Sequence, residues 1–275
     1  MTHLRQILEQ DRAETKAKAR LDRAALEMAS IDTPGLDPEP SLDQLNELAS
    51  RLADRMRNFN DGRDFVETAQ RYLFGELGFK GNEEDFFDSR NSCLDQVLLR
   101  RTGIPISLSV LYMEIARRLS MPVVGIGLPR HFVIQFNDGN YSTYIDPYNG
   151  GRPIGVRECF ALAGATILDP ALLKPATNKE IVMRMLQNLR GVYLRRKDWA
   201  RTVITLDLLL IGAPHIGAWY KQRGLLQMEL KRFRAASLDL QQYLTLEEGS
   251  GEQAADREEI QKQIEAIHQH LARLN

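Results

Sequence analysis

The sequence predicts an α+β domain of helices with a small antiparallel sheet, followed by an all-α helical region. Three observations carry this. Apolar residues recur at helical spacing through the first 120 positions. Two alternating apolar runs then flank a hairpin signal, Asn137-Asp138-Gly139-Asn140. Finally, similar residues recur 34 positions apart near the C-terminus: Trp199 and Phe233, Thr202 and Ala236, Leu206 and Leu240.

The elements follow in order. Leu4, Ile7, Leu8, Leu21, Ala25, Leu26 and Met28 predict a helix over 3–29. Asp32-Thr33-Pro34-Gly35 and Asp37-Pro38-Glu39-Pro40 break it. Ser41 is the expected N-cap of a helix through Leu42, Leu45, Leu48, Leu52 and Met56. A further helix is expected over 64–77, stopped at Gly78. Asn91 or Ser92 is expected to cap the next, which runs to Arg101. After Gly103-Ile104-Pro105, residues 107–120 form an apolar helix that belongs in the middle of a domain. Residues 122–128 read as a buried strand, and 174–178 as a linker. Residues 252–274 supply a polar capping helix with Ile260, Ile264, Ile267 and Leu271 on one face. The boundaries expected are a helical extension over 1–40, a first domain over 41–175 and a repeat domain over 178–275. Paired helices at this period, with small side chains such as Gly224 and Ala236 where helices cross, form the tetratricopeptide pattern.

Bulk properties exclude several functions. The 275 residues are 43% hydrophobic, enough for a real core. A net charge of −1, from 36 basic and 37 acidic residues, argues against nucleic acid as a partner. No apolar run approaches the roughly 18 residues that span a bilayer, and residues 1–19 lack a signal peptide's apolar segment. Cys93 and Cys159 make no disulfide framework and no metal spacing, which fits a reducing, cytoplasmic setting. No cofactor or metal is expected. Arg117-Arg118 and Arg195-Arg196-Lys197 read as solvated basic faces.

The chemistry lies in the hairpin. His131 opens one strand and Asp146 closes the next, so both come to the same end of the sheet. An imidazole beside a carboxylate has a fixed tautomer and raised basicity, two thirds of a nucleophilic triad.

Several ordered blocks carry a resemblance: Tyr72-Leu73-Phe74, Leu77-Gly78-Phe79-Lys80-Gly81-Asn82, Asn91-Ser92, Gly103-Ile104-Pro105-Ile106-Ser107, Gly127-Leu128-Pro129, His131-Phe132 and Ile145-Asp146-Pro147. From about residue 40 onwards the chain resembles the SirB-one family of bacterial proteins, a transglutaminase-like domain followed by tetratricopeptide repeats. The resemblance implies a papain-like core, whose wider superfamily uses Cys-His-Asp for acyl transfer or amide hydrolysis. His131 and Asp146 match the His and Asp. The cysteine is expected at the start of the central helix, at about Ser107, where this chain has serine. Arg130 is a second departure, since glycine is expected before the His.

More than one reading stays open at each position. Ser107 is a nucleophile or a helix cap. Cys93 is an alternative nucleophile at an electropositive helix start, core packing, or a redox sensor. His131 and Asp146 form a preserved site, or a packed histidine beside a turn opener. The repeats offer a groove for a protein or peptide partner, or only buttress the first domain. The favoured function is a degenerate transglutaminase-like domain that binds a peptide in its cleft while the repeats recruit a partner. The alternative is an amide or ester hydrolase, or acyl transferase, using Ser107 or Cys93 with His131 and Asp146.

Overall fold

The computed structural model describes residues 1–9, 20–165, 169–247 and 254–273. They form two compact units, Met1–Asn188 and Leu189–Asn275.

The first unit opens with two helices, not the single one expected over 3–29. Helix α1 spans Thr2–Glu9 and α2 spans Leu21–Ala29. Residues 10–19 of the expected helix lie outside the described residues. Arg20 is extended, so the chain enters α2 afresh. Glu27 of α2 accepts the main-chain N–H groups of Thr2, His3 and Leu4, at 3.1, 3.1 and 2.7 Å. A carboxylate there satisfies donors that a helix start leaves unpaired.

Helix α3 runs Glu39–Ala53 with Pro38 as its cap residue, so Ser41 lies inside the helix. Proline at the second helical position (Pro40) lets the helix begin earlier than Ser41 suggested. Helix α4 spans Gly62–Ala69, capped by Asp61, and continues as π-helical turns over Gln70–Glu76. Gly78 then takes φ +72°, the left-handed stop that the sequence implies. A 3-10 turn, Ser89–Ser92, leads into α5, Leu94–Arg100. Its cap residue is Cys93, not Asn91 or Ser92.

Helix α6, Pro105–Arg118, is the centre of the unit. Leu108, Val110, Leu111, Tyr112, Ile115 and Ala116 are buried. Tyr112 packs edge-on to Phe65 at 5.9 Å, and Phe65 lies 5.5 Å from Phe136 of the sheet. The start of α6 is set by a two-residue parallel pair, β1 (Lys80–Gly81) with β2 (Thr102–Gly103).

Arg117 and Arg118 do not form the solvated face expected of them. Arg118 is 9% exposed in its side chain and pairs with buried Asp22 at 2.7 Å and Glu114 at 3.1 Å. Arg117, half exposed, joins both carboxylates. The network ties α2 to α6.

Four strands follow as an antiparallel meander: β3 Val123–Ile126, β4 Val133–Asn137, β5 Ser142–Asp146 and β6 Arg152–Ile154. The β4–β5 turn is the hairpin the sequence announces, with Gly139 at φ +91° and Asp138 accepting from the N–H groups of Asn140 and Tyr141. Helix α7, Val156–Leu162, places Cys159 in a core with Ile126, Leu128, Val133 and Ile154. The segment read as a linker instead lies along the edge of β3: Pro175 bridges to Ile126, and Ala176 donates to the Gly125 carbonyl at 2.8 Å.

Helix α8, Asn178–Arg195, carries the chain from the first unit into the second. In the second, α9 (Trp199–Gly212), α10 (Gly217–Glu229), α11 (Phe233–Leu246) and α12 (Ala254–Ala272) follow. Trp199 and Phe233 each begin a helix, preceded by equivalent left-handed turns at Lys197 and Lys231, both at φ 56°. Gly224 faces Leu240 so closely that a Cβ there would lie 2.9 Å from it. Ile260, Ile264 and Ile267 cover Ala236, Leu240 and Tyr243, as a capping helix must.

Candidate functional site

His131 and Asp146 meet. Pairing Ile134 with Ile145 sets the register of β4 and β5. It brings Asp146, the last residue of β5, to the segment that leads into β4. His131 Nε2 lies 3.0 Å from Asp146 Oδ1. Asp146 is fully buried and also accepts from the N–H groups of Tyr148 and Asn149 and the Asn149 amide, at 3.1, 3.3 and 2.7 Å. Burial opposes its charge, but the hydrogen bonds from His131 and Asn149 prevail and hold its carboxyl below the usual range. An ionised carboxylate only accepts, so Nε2 carries the proton and Nδ1 of the neutral ring is the acceptor. The turn after Asp146 closes through Gly150 and Gly151, at φ +79° and +64°. A side chain at Gly151 would also run into the Phe74 ring.

Ser107 is occupied elsewhere. It lies in the first turn of α6, fully buried. Its hydroxyl accepts from the Ile104 N–H at 3.0 Å and donates to the Asn91 carbonyl at 2.6 Å. The first bond is half of a capping box; the second ties α6 to the turn before α5.

Cys93 is buried beside Asp32, with Sγ 3.8 Å from its carboxylate and 3.5 Å from the Ser89 carbonyl. Burial first, then the charges of Asp32 and Asp95, push the thiol far up. A nucleophilic cysteine needs the opposite shift. The helix start does not prevail because three carboxylates, Asp32, Asp88 and Asp95, act on the same sulfur.

The groups that line a pocket of about 40 Å³ beside His131 are different. The start of α6 contributes Ile104, Pro105 and Ile106, and neither Ser107 nor Cys93 reaches the lining. Arg130, Phe132, Phe86 and, from α8, Arg184 and Asn188 complete it. Among the described residues, none from α1 or α2 lines it.

Comparison with known proteins agrees with this architecture. The family described as Transglutaminase-like superfamily matches residues 39–187, and Tetratricopeptide repeat matches 189–265. A UPF0162 protein of Xylella fastidiosa strain Temecula1 is 39% identical over 189 residues, covering 66% of this chain and 67% of the relative. A UPF0162 protein of Vibrio cholerae is 30% identical over 218 residues, covering 76% of this chain and 81% of the relative. The chain belongs to the UPF0162 family of transglutaminase-like proteins. Human F-box only protein 21 is 33% identical over 172 residues, covering 54% of this chain and 27% of that protein. No solved structure matches significantly.

In this UPF0162 chain, sequence reasoning missed two groups at the site. Arg184 donates from Nη2 to the His131 carbonyl at 2.7 Å and lies over the Phe132 ring at 5.6 Å. The signal was a cation within the apolar stripe Ile181, Val182, Met185, Leu186. Asn149 grips Asp146 from the following turn. Asn91 shapes the rim: its amide donates to the Asp85 and Phe86 carbonyls at 2.7 and 3.3 Å. Among the described residues, no group of three His, Cys, Asp or Glu side chains is set to hold a metal ion. No described helix is long and apolar enough to cross a membrane.

Proposed function

We propose that this protein binds a peptide in its transglutaminase-like cleft without cleaving it, while the repeats recruit a protein partner. One observation carries the reading. The helix start that lines the pocket with His131 offers Ile104, Pro105 and Ile106, none of which has a nucleophilic side chain. The hydroxyl of Ser107 is engaged by main-chain groups, and the Cys93 thiol is held protonated. The His131–Asp146 pair then serves as a rigid polar wall, with Nδ1 as its hydrogen-bonding edge. The tetratricopeptide match supports a protein partner for the second unit. Two free, buried cysteines fit a reducing compartment, and we place the protein in the cytoplasm.

The test is intact-mass analysis of the full chain after incubation with a fluorophosphonate and, separately, with an acyl-thioester probe. The expected result is an unmodified mass. An adduct at Ser107 or Cys93 that disappears in His131→Ala would establish the acyl-transfer or hydrolase alternative instead.

A further inference from the structure

Among the described residues, the pocket beside His131 is lined by two arginines, Arg130 and Arg184, and by no carboxylate. Arg184 is the telling one. Arg118 and Arg223, whose side chains are 9% and 18% exposed, each meet two carboxylates. Arg184 meets a carbonyl and an aromatic face only. Burial lowers its pKa, with no acidic neighbour acting against that. A guanidinium offers five N–H donors, and a single hydrogen bond, to the His131 carbonyl, leaves most of them for a ligand. A cation withdrawn from water and lacking a counter-charge is costly, and an anion in the pocket would relieve it.

Arg130 is an independent observation. It lies on the pocket rim at φ 62°, a conformation that costs a side-chain-bearing residue roughly 1 kcal/mol and glycine almost nothing. Arg130 is exposed and lines the pocket, so its cation stands beside that of Arg184. Phe86, 42% exposed, stands at the same rim and stacks edge-on to Tyr148 at 6.4 Å. The pocket's 40 Å³ suits a small planar group and no bulky one.

We propose that this pocket binds a carboxylate of a peptide ligand, held by Arg184 and Arg130, with the neighbouring apolar side chain resting on Phe86. The proposal rests on the peptide-binding reading above and names the chemistry that reading requires. A carboxylate is the fitting anion because a guanidinium meets it through two parallel hydrogen bonds.

The test titrates the full-length protein, isotopically labelled in its histidines, with three peptides: acetyl-Ala-Leu-Phe as the free acid, the same peptide as its amide, and acetyl-Ala-Glu-Phe-amide. The readout is the ring nitrogen shifts of His131. The plain amide should bind at least about tenfold more weakly than one of the two acids, the usual weight of a charge-assisted hydrogen bond. The free acid prevailing assigns a chain terminus, the glutamate peptide an internal side chain, and both outcomes support the site. Arg184→Gln should weaken the preferred acid about tenfold, and Arg184→Lys less, since it keeps the charge. Arg130→Gly, which relaxes the backbone and cannot unfold the chain through strain, should also weaken it. Equal binding of all three peptides overturns the carboxylate site and leaves peptide binding standing. Absence of binding by all three overturns the site as well, and the covalent-probe experiment then decides the broader reading.

Discussion

The Ser107 hydroxyl donates to the Asn91 carbonyl across 2.6 Å, joining the first turn of α6 to the segment that holds the Phe86 loop. A side chain that the sequence offers as a nucleophile or a cap fastens two parts of the cleft wall. Removing it leaves a buried carbonyl and a buried N–H without their partner. Ser107→Ala should destabilise the protein by about 1–3 kcal/mol in urea unfolding. A variant as stable as the wild type would show that the hydroxyl is not a structural tie.

Cys93 and Cys159 should resist alkylation. Burial pushes the Cys159 thiol up to about 11, and Cys93 is raised further. Iodoacetamide at pH 8 should leave both unmodified in the native protein, and label both once urea unfolds it. Rapid native labelling of Cys93 would mean a thiolate that this environment does not support.

Asp22 should make the fold acid-sensitive. Burial disfavours its charge, yet Arg20 and Arg118 hold it at about 2, against roughly 3.9 in an unfolded chain. Its contribution is complete above about pH 4 and is lost as pH falls from there through 2. Glu114, raised by burial and by Asp22, acts in the opposite sense. Asp22→Asn should cost about 3 kcal/mol at pH 7, because it leaves Arg118 buried with less counter-charge. The gap to wild type should narrow by about 2 kcal/mol towards pH 2. A gap that stays constant from pH 7 to pH 3 would count against the network.

Gly224 and Leu240 should show a change of sign. Alanine at 224 gains about 1 kcal/mol of helix propensity, but its Cβ would lie 2.9 Å from Leu240 Cγ and Cδ2. Leu240 is fully buried, so it shifts only against packed neighbours. Gly224→Ala should therefore destabilise by about 1 kcal/mol net. In a Leu240→Ala background the same substitution should become stabilising. Equal effects in both backgrounds, measured by thermal unfolding, would refute the close helix contact.

Much of this protein is legible locally. The Asn137–Asn140 turn follows from its residue types, and the helix starts at Trp199 and Phe233 follow from the 34-residue period. The His131–Asp146 contact follows from the hairpin, because antiparallel pairing leaves only one end of the sheet for both. These features depend on turn chemistry and side-chain period, which a short stretch of sequence contains. The same locality explains the errors. Ser41 looked like a cap because Pro38 and Pro40 read as breakers, although proline also begins helices.

What surrounds the His131–Asp146 pair was decided only by the tertiary structure. Successive residues on a helix point about 100° apart, so packing of α6 chose Pro105 and Ile106 for the pocket and turned Ser107 towards Asn91. The two arginines at 117 and 118 read as solvated until the fold brought Asp22 to them from 95 and 96 residues away. Arg184 reaches His131 across 53 residues, on a helix whose apolar pattern gives it no partner. The sequence alone determined the elements and the pair of residues at one sheet end, since these follow from nearest neighbours along the chain. The identity of the pocket wall and the pairing of buried charges came from contacts between distant segments, which only folding assembles.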